Sequence, residues 1–222
     1  MLKKFKKWIK KAITKEPFDP SRFNDPLANS IDWVPLKRGG SNFHTHRLIE
    51  VDLHRLEFRP TTGAKLFSGL FMTVGVGFPI LFLTIGADSP DMESAWAVLA
   101  ILLFGALFAG VGGWIYYSMA KPRVFDKYSS MYWKGHKKPD FIYRPEDEKK
   151  AAMLSTVHAI QLIREYVKSD KSSYYSYELN LVLKDGRRLN VIDHGNKIEI
   201  LDDARKLGEF LGIPVWTGFE SD

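Results

Sequence analysis

The chain of 222 residues has no cysteine, which excludes a disulfide framework and any thiolate-based metal or redox centre. Two of its segments, Leu66 to Gly86 and Ala95 to Met119, contain no Asp, Glu, Lys, Arg or His. Pumps and transporters place ionisable side chains inside the bilayer, so no ion or proton path is expected through one copy. Also missing are a Gly-x-Ser-x-Gly elbow, a phosphate-binding loop, a His-Glu-x-x-His pair and a dinucleotide fingerprint. No zinc finger, aromatic RNA-binding pattern or basic recognition helix is present either. The sequence therefore predicts no catalytic residues, no cofactor and no nucleic-acid partner.

What remains is dominated by those two apolar stretches, each long enough to cross a ~30 Å hydrocarbon layer as one helix. The mean hydropathy of −0.19 hides them, because the rest of the chain is highly charged. Between them, Ala87 to Ser94 carries Asp88, Asp91 and Glu93 and no base, while Arg55, Arg59 and Lys65 precede and Lys121, Arg123 and Lys127 follow. Basic flanks mark the cytoplasmic side, which predicts a two-pass protein with the short loop outside and both termini cytoplasmic. The net charge is +6; with three acids and no base in the hairpin, the remainder carries +9. A basic body beside a bilayer points to anionic phospholipid headgroups.

Within the helices, Ser68, Thr73 and Thr84 can bond back to their own backbone, and Gly75, Gly77 and Pro79 predict a kink. Small residues form rows at four-residue spacing, Gly69, Thr73 and Gly77 on the first helix and Gly105, Ala109 and Gly113 on the second. Such rows allow close helix packing, within the hairpin or against a second copy or partner helix. Trp96 at one end and Trp114, Tyr116 and Tyr117 at the other fit interfacial anchors.

Residues 1–15 place Leu2, Phe5, Trp8, Ile9, Ala12 and Ile13 on one helical face and Lys3, Lys4, Lys6, Lys7, Lys10 and Lys11 on the other. This is the pattern of an amphipathic helix lying on a membrane surface; a basic presequence is the competing reading, and no continuous apolar core fits a secretory signal. Residues 16–42 contain Pro17, Pro20, Pro26 and Pro35 and predict an extended linker without regular elements. Phe43 to Phe58 and Pro122 to Trp133 are strand-like and predicted to pair across the hairpin, making residues 43–65 and 120–218 one β-rich cytoplasmic domain with the hairpin, 66–119, as an insertion.

In the last third, Tyr177, Leu179, Leu181 and Leu183 alternate before Lys184-Asp185-Gly186. A three-residue loop with a left-handed Gly186 keeps one face apolar, setting Leu181 opposite Leu189 and Leu179 opposite Val191. Asn196 is placed to cap a helix through Leu211, with Leu201, Ala204, Leu207 and Leu211 as its stripe and Gly212 and Pro214 beyond. Glu146 to Val167 fits a helix, and His158 to Val167 fits a strand equally well.

LSTVHAIQLIREYV, SSYYSYELNLVLKDGRRLNVIDHG and the strand resuming at RVFDKYSSMYWKG resemble bacterial two-pass inner-membrane proteins of uncharacterised function with a pleckstrin-homology-like cytoplasmic domain. The resemblance spans Leu48 to Trp216. It implies that His158 to Val167 is a strand and that the C-terminal helix closes one end of a curved sheet. It implies no site residue. The fold class expected is thus an α+β membrane protein, a two-helix transmembrane hairpin inserted in a pleckstrin-homology-like β domain with an N-terminal amphipathic helix.

Histidines offer the remaining chemistry. His44 and His46, with His54 nearby, are candidate metal ligands, against the commoner reading of solvated side chains. Asp193-His194 before Gly195 reads as a strand end and turn rather than a catalytic pair. The function expected is a non-enzymatic, membrane-anchored protein that binds a protein partner and regulates or assembles a membrane complex. Neutralising a membrane-acting toxin or phage component is the alternative, an enzyme with an unrecognised site a further one, and a homo-oligomer is compatible with each.

Overall fold

The computed structural model describes residues 18–86, 94–140, 150–168 and 172–219. The basic helix expected at residues 1–15, with Lys3, Lys4, Phe5, Lys6, Lys7, Trp8, Lys10 and Lys11, lies outside them, as does nearly all of the acidic loop. The fold is α+β, with two sheets and two long apolar helices.

The first sheet is an antiparallel meander of β1 (His46–Asp52), β2 (Arg55–Pro60), β3 (Arg123–Asp126), β4 (Met131–Lys134) and β5 (Ala151–Met153). As the sequence predicts, β2 and β3 pair across the apolar insertion, with Leu56 opposite Phe125 and Phe58 opposite Arg123. The second sheet has the order β8 (Arg188–His194), β7 (Ser173–Leu183), β6 (Val157–Lys168) and β9 (Val215–Thr217), the last parallel to β6. The ambiguous stretch is therefore strand, preceded by β5 and a single turn at Leu154–Thr156.

Period-two alternation gives the second sheet two covered faces. Ile160, Leu162, Leu179 and Leu181 turn inward to meet Leu56, Phe58, Phe125 and Tyr132 of the first sheet, in one core with Ile200, Ala204 and Leu207 of the C-terminal helix. On the outer face Ala159, Val182 and Trp216 pack under Phe23, Leu27, Ala28, Ile31 and Trp33. The linker is thus a cover. Its backbone is held by two carboxylates, one buried and one half-buried: Leu36 and Lys37 N–H donate to Glu178, both at 2.9 Å, and Gly39 and Gly40 N–H donate to Glu165. Two prolines correct the expectation of an element-free linker. Asp19 caps a 3-10 turn at Pro20–Phe23 and Asp25 caps α1 (Pro26–Ser30), because proline at the first helical position gives up an N–H that has no partner there anyway.

The β7–β8 hairpin has the three-residue loop, with Gly186 at φ +85° and Leu183 N–H donating to Arg187 O at 2.8 Å. Leu181 faces Leu189 as expected. Leu179 does not face Val191; a register shift puts it opposite Ile192, since a bulge adds one residue to β8. The C-terminal helix, α4 (Lys197–Leu211, taking the apolar helices as α2 and α3), starts where Asn196 accepts from Ile198 and Glu199 N–H and ends at a left-handed Gly212, φ +69°. Its buried line is Ile200, Asp203, Ala204, Leu207 and Gly208, with Leu201 and Leu211 at the margin. The centre of the stripe is one residue earlier than expected and includes a carboxylate.

The apolar helices α2 (Thr62–Ile85) and α3 (Ala95–Ala120) are long and apolar enough to cross a membrane, and most of their side chains face outward. Their seam is Ala64, Ser68, Gly75 and Pro79 against Gly105, Ala109 and Gly112. A Cβ on Gly105 would collide with Pro79 Cγ and the Gly75 carbonyl, and one on Gly75 with the Ala109 backbone. Of the predicted rows, Gly105 and Ala109 lie in this seam; Gly69, Gly77 and Gly113 have nothing within 4 Å of an added Cβ, and Thr73 is exposed. A straight pair of helices meets along positions recurring at about seven residues, as from Ser68 to Gly75 and from Gly105 to Gly112, whereas a strict four-residue row drifts around the axis. Gly105→Leu is expected to lower thermal stability in mild detergent, by about 3 kcal/mol or more for overpacking against backbone, while Gly77→Leu leaves it unchanged; equal effects of the two would contradict this seam.

Candidate functional site

A buried polar cluster lies where the apolar hairpin joins the β domain. Three residues before and into β1 organise it. His44 O accepts from Thr61 Oγ1 at 2.7 Å, and the same hydroxyl caps α2 at Ala64 N–H. Thr45 O accepts from Thr61 N–H at 3.0 Å, and Thr45 Oγ1 donates to Asp193 O at 2.9 Å. His46 reaches the other helix, its Nε2 meeting Met119 O at 3.2 Å near the end of α3 and the Arg123 guanidinium alongside. One short segment therefore bonds the start of α2 and the end of β8 and lies against the end of α3.

Arg123 completes the grip. Its side chain is buried, with Nε donating to Val191 O at 3.0 Å and Nη1 to Lys121 O at 2.8 Å. Val191 is the extra residue of the bulge, so its carbonyl is turned from the ladder toward Arg123. Burial and then the Arg123 charge hold His46 neutral, pushing it down to about 3, and burial also lowers the guanidinium below its ordinary value. With His46 uncharged and its proton on Nδ1 toward Thr45 Oγ1, Nε2 can accept from Arg123 rather than repel it, and Met119 O lies beside Nε2 without a hydrogen bond from it.

A basic band surrounds this point. Lys134 stands opposite Arg123 in register across β3 and β4, an arrangement in which like charges repel. Lys37 and Lys121 add to the field at Lys134, and Lys121 Nζ lies 5.0 Å from the Tyr117 ring at the end of α3. Burial first, then Arg123 and Lys37, depress the Lys134 ammonium to about 7. Asp193 offsets part of this positive field at Lys134; burial and then Glu178 raise it to about 6.

Beside the clamp sit His44, His194 and Asp203. Their rings and carboxylate meet between the start of β1, the end of β8 and the middle of α4, with the two imidazole centroids 4.7 Å apart. Burial pushes Asp203 up to about 7 and His194 down to about 3. Two imidazoles and a carboxylate are a donor set that a divalent metal can use.

Of the histidines singled out in the sequence, His44 lies in this trio, His46 turns to Arg123, and His54 packs on Tyr128 with centroids 4.3 Å apart. Strand and turn meet at Asp193-His194 as read from the sequence; the histidine is fully buried. Arg123 was visible only as a flanking charge, and Asp203 only as a polar gap in a helix stripe. Val191 and His46 beside Arg123, and Leu48 and His44 beside Asp203, lie scores of residues away, beyond the reach of local spacing. No protein-family model, curated protein or solved structure matches the chain.

An unfolded lysine titrates near 10.5 and Lys134 near 7, so its charge costs the fold stability in full below pH 7, less between these values and nothing above 10.5. Lys134→Met should raise the melting temperature in neutral buffer, with the difference shrinking toward pH 10; a constant difference across that range would contradict a half-buried ammonium set against Arg123.

Proposed function

We propose that this chain is a non-enzymatic, membrane-anchored interaction protein of the bacterial inner membrane. Its β domain stands on the cytoplasmic side and binds a membrane-protein partner that it regulates or helps assemble. The observation that carries this reading is the insertion of an apolar hairpin between two paired strands, β2 and β3, with the start of α2 held by His44 and Thr45 and the end of α3 held through Arg123. A domain joined this way has one orientation relative to its anchor. Exposed Lys37 and half-buried Lys121 of the basic band then lie at the level of headgroups, favouring anionic phospholipid. Residues 1–15, with Lys3, Lys4, Lys6, Lys7, Lys10 and Lys11 beside Phe5 and Trp8, add a second contact of the same chemistry. Two sheets sharing one core, closed by a helix that follows β8, support the pleckstrin-homology-like reading of the domain.

The partner surface fits the ribbon of β6 and β7. Tyr166 and Tyr175 are exposed by 56% and 45% with ring centroids 5.2 Å apart, and the Arg164 guanidinium lies 4.9 Å from the Tyr175 ring. Tyrosine and arginine are the residues that most often dominate interface energetics. Anchoring holds this patch at high local concentration beside other membrane proteins.

Purification of the tagged native protein in mild detergent, with mass spectrometry of the intact complex, is expected to yield a stoichiometric protein partner. The double substitution Tyr166→Thr, Tyr175→Thr, which keeps strand propensity, should deplete that partner by about tenfold or more while leaving the melting temperature in place. A wild-type protein recovered alone, or a partner retained equally by the variant, would overturn the assignment.

A further inference from the structure

We propose that His44, His194 and Asp203 form a site for one divalent transition-metal ion of the zinc class. His194 Nε2 and His44 Nε2 are both buried and have no hydrogen-bond partner, and His194 as a whole is fully buried. Buried imidazole nitrogens ordinarily find a partner, and two orphans in ring contact need a common explanation. Asp203 supplies the third observation. It is 4% exposed on the core face of α4, accepts one long bond from Leu48 N–H at 3.3 Å, and has no ion-pair partner among the described residues; the nearby Lys206 is paired with Asp202. An uncompensated buried carboxylate beside two unsatisfied imidazoles is what a bound cation would resolve.

The geometry permits it. One donor atom from each of the three residues lies within 4.8 Å of the other two, whereas ligands around zinc stand about 3.4 Å apart given bond lengths near 2.0–2.2 Å. Side-chain rotation at His44, which precedes β1 and is only half-buried, covers the difference and leaves an entry path on that side. The backbone around the donors is already fixed: Gly195 N–H donates to Phe43 O at 3.1 Å, and an added Cβ at Gly195 would collide with the Asn42 backbone. Asn196 N–H donates to His194 Nδ1 at 3.2 Å, which leaves the ring proton on Nε2. Loading moves that proton to Nδ1 and gives up this one long bond in exchange for a coordinate bond.

Two nitrogens and one carboxylate, with no thiolate in the chain, suit Zn²⁺, Co²⁺ or Ni²⁺ and not the all-oxygen shells of Ca²⁺ and Mg²⁺. Three protein ligands leave a fourth position for water. An ion here would tie the segment that caps the apolar hairpin to α4, a role independent of the protein partner proposed above.

The test uses full-length protein in mild detergent, carrying a tag without histidine and stripped of metal, titrated with Co²⁺ and then Zn²⁺ at about pH 7. One equivalent of Co²⁺ should give ligand-field absorption that Zn²⁺ abolishes. His44→Ala and Asp203→Asn should each weaken binding by at least about tenfold, and His54→Ala should leave it unchanged. Zn²⁺ should also raise the melting temperature of the unsubstituted protein where Mg²⁺ does not, a readout that needs no variant to fold. Absence of stoichiometric Co²⁺ absorption, absence of a Zn²⁺-specific rise in melting temperature, or binding that survives both ligand substitutions would overturn the proposal.

Discussion

The buried guanidinium of Arg123 is the contact on which the arrangement of this molecule depends. It binds a carbonyl freed by the β8 bulge, a carbonyl just past α3 and the ring of His46, and so joins the second sheet, the apolar hairpin and the first strand at one point. A cation taken out of water is stable only when its donors are satisfied. That requirement constrains its surroundings: His46 has to be neutral, Val191 has to leave the ladder, and Thr45 has to hold Asp193.

From this constraint the relation between hairpin and domain follows. Helices α2 and α3 leave from adjacent strands, so any tilt of the hairpin would strain the β2–β3 register. Thr61 caps α2 while bonding His44, which converts a flexible strand-to-helix turn into a fixed corner. The linker contributes from the other side. By covering the outer face of the second sheet with Trp33 and Phe23 and placing backbone N–H groups on Glu178 and Glu165, it allows Gln161, Glu178 and Asn180 to be buried in a sheet interior. The carboxylates of β6 and β7 thus serve the packing of residues 36–40.

Much of this was legible in the sequence because the signals were local. Charge-free runs of helix length, a Lys-Asp-Gly turn between alternating strands, and Asn196 before a periodic stretch each specify one element, and each is present. Pairing of β2 with β3 was legible from strands on both sides of the insertion. The misses share a different cause. The bulge at Val191 responds to Arg123, 68 positions away, and the helix seam through Gly75 and Gly112 follows from how two helices cross, which four-residue spacing does not encode. Prolines at the first positions of short helices carry the same local signal as helix breakers, and only the aspartate before each, as its cap, distinguishes them. The trio of His44, His194 and Asp203 was half-visible, since the histidine cluster drew attention to His44 while its partners lay on β8 and α4.

In the function proposed, the apolar hairpin serves as anchor and the exposed Tyr166 and Tyr175 as the surface held at a fixed height above a bilayer. The most direct test of that account exploits the absence of cysteine. Single substitutions Ser89→Cys in the acidic loop and Lys184→Cys in the β7–β8 turn can be treated with a membrane-impermeant maleimide in intact and permeabilised cells. The account predicts that position 89 reacts from outside and position 184 only after permeabilisation of the inner membrane. Labelling of position 184 in intact cells, or identical labelling of both positions, would contradict a cytoplasmic domain carried on a membrane-spanning hairpin.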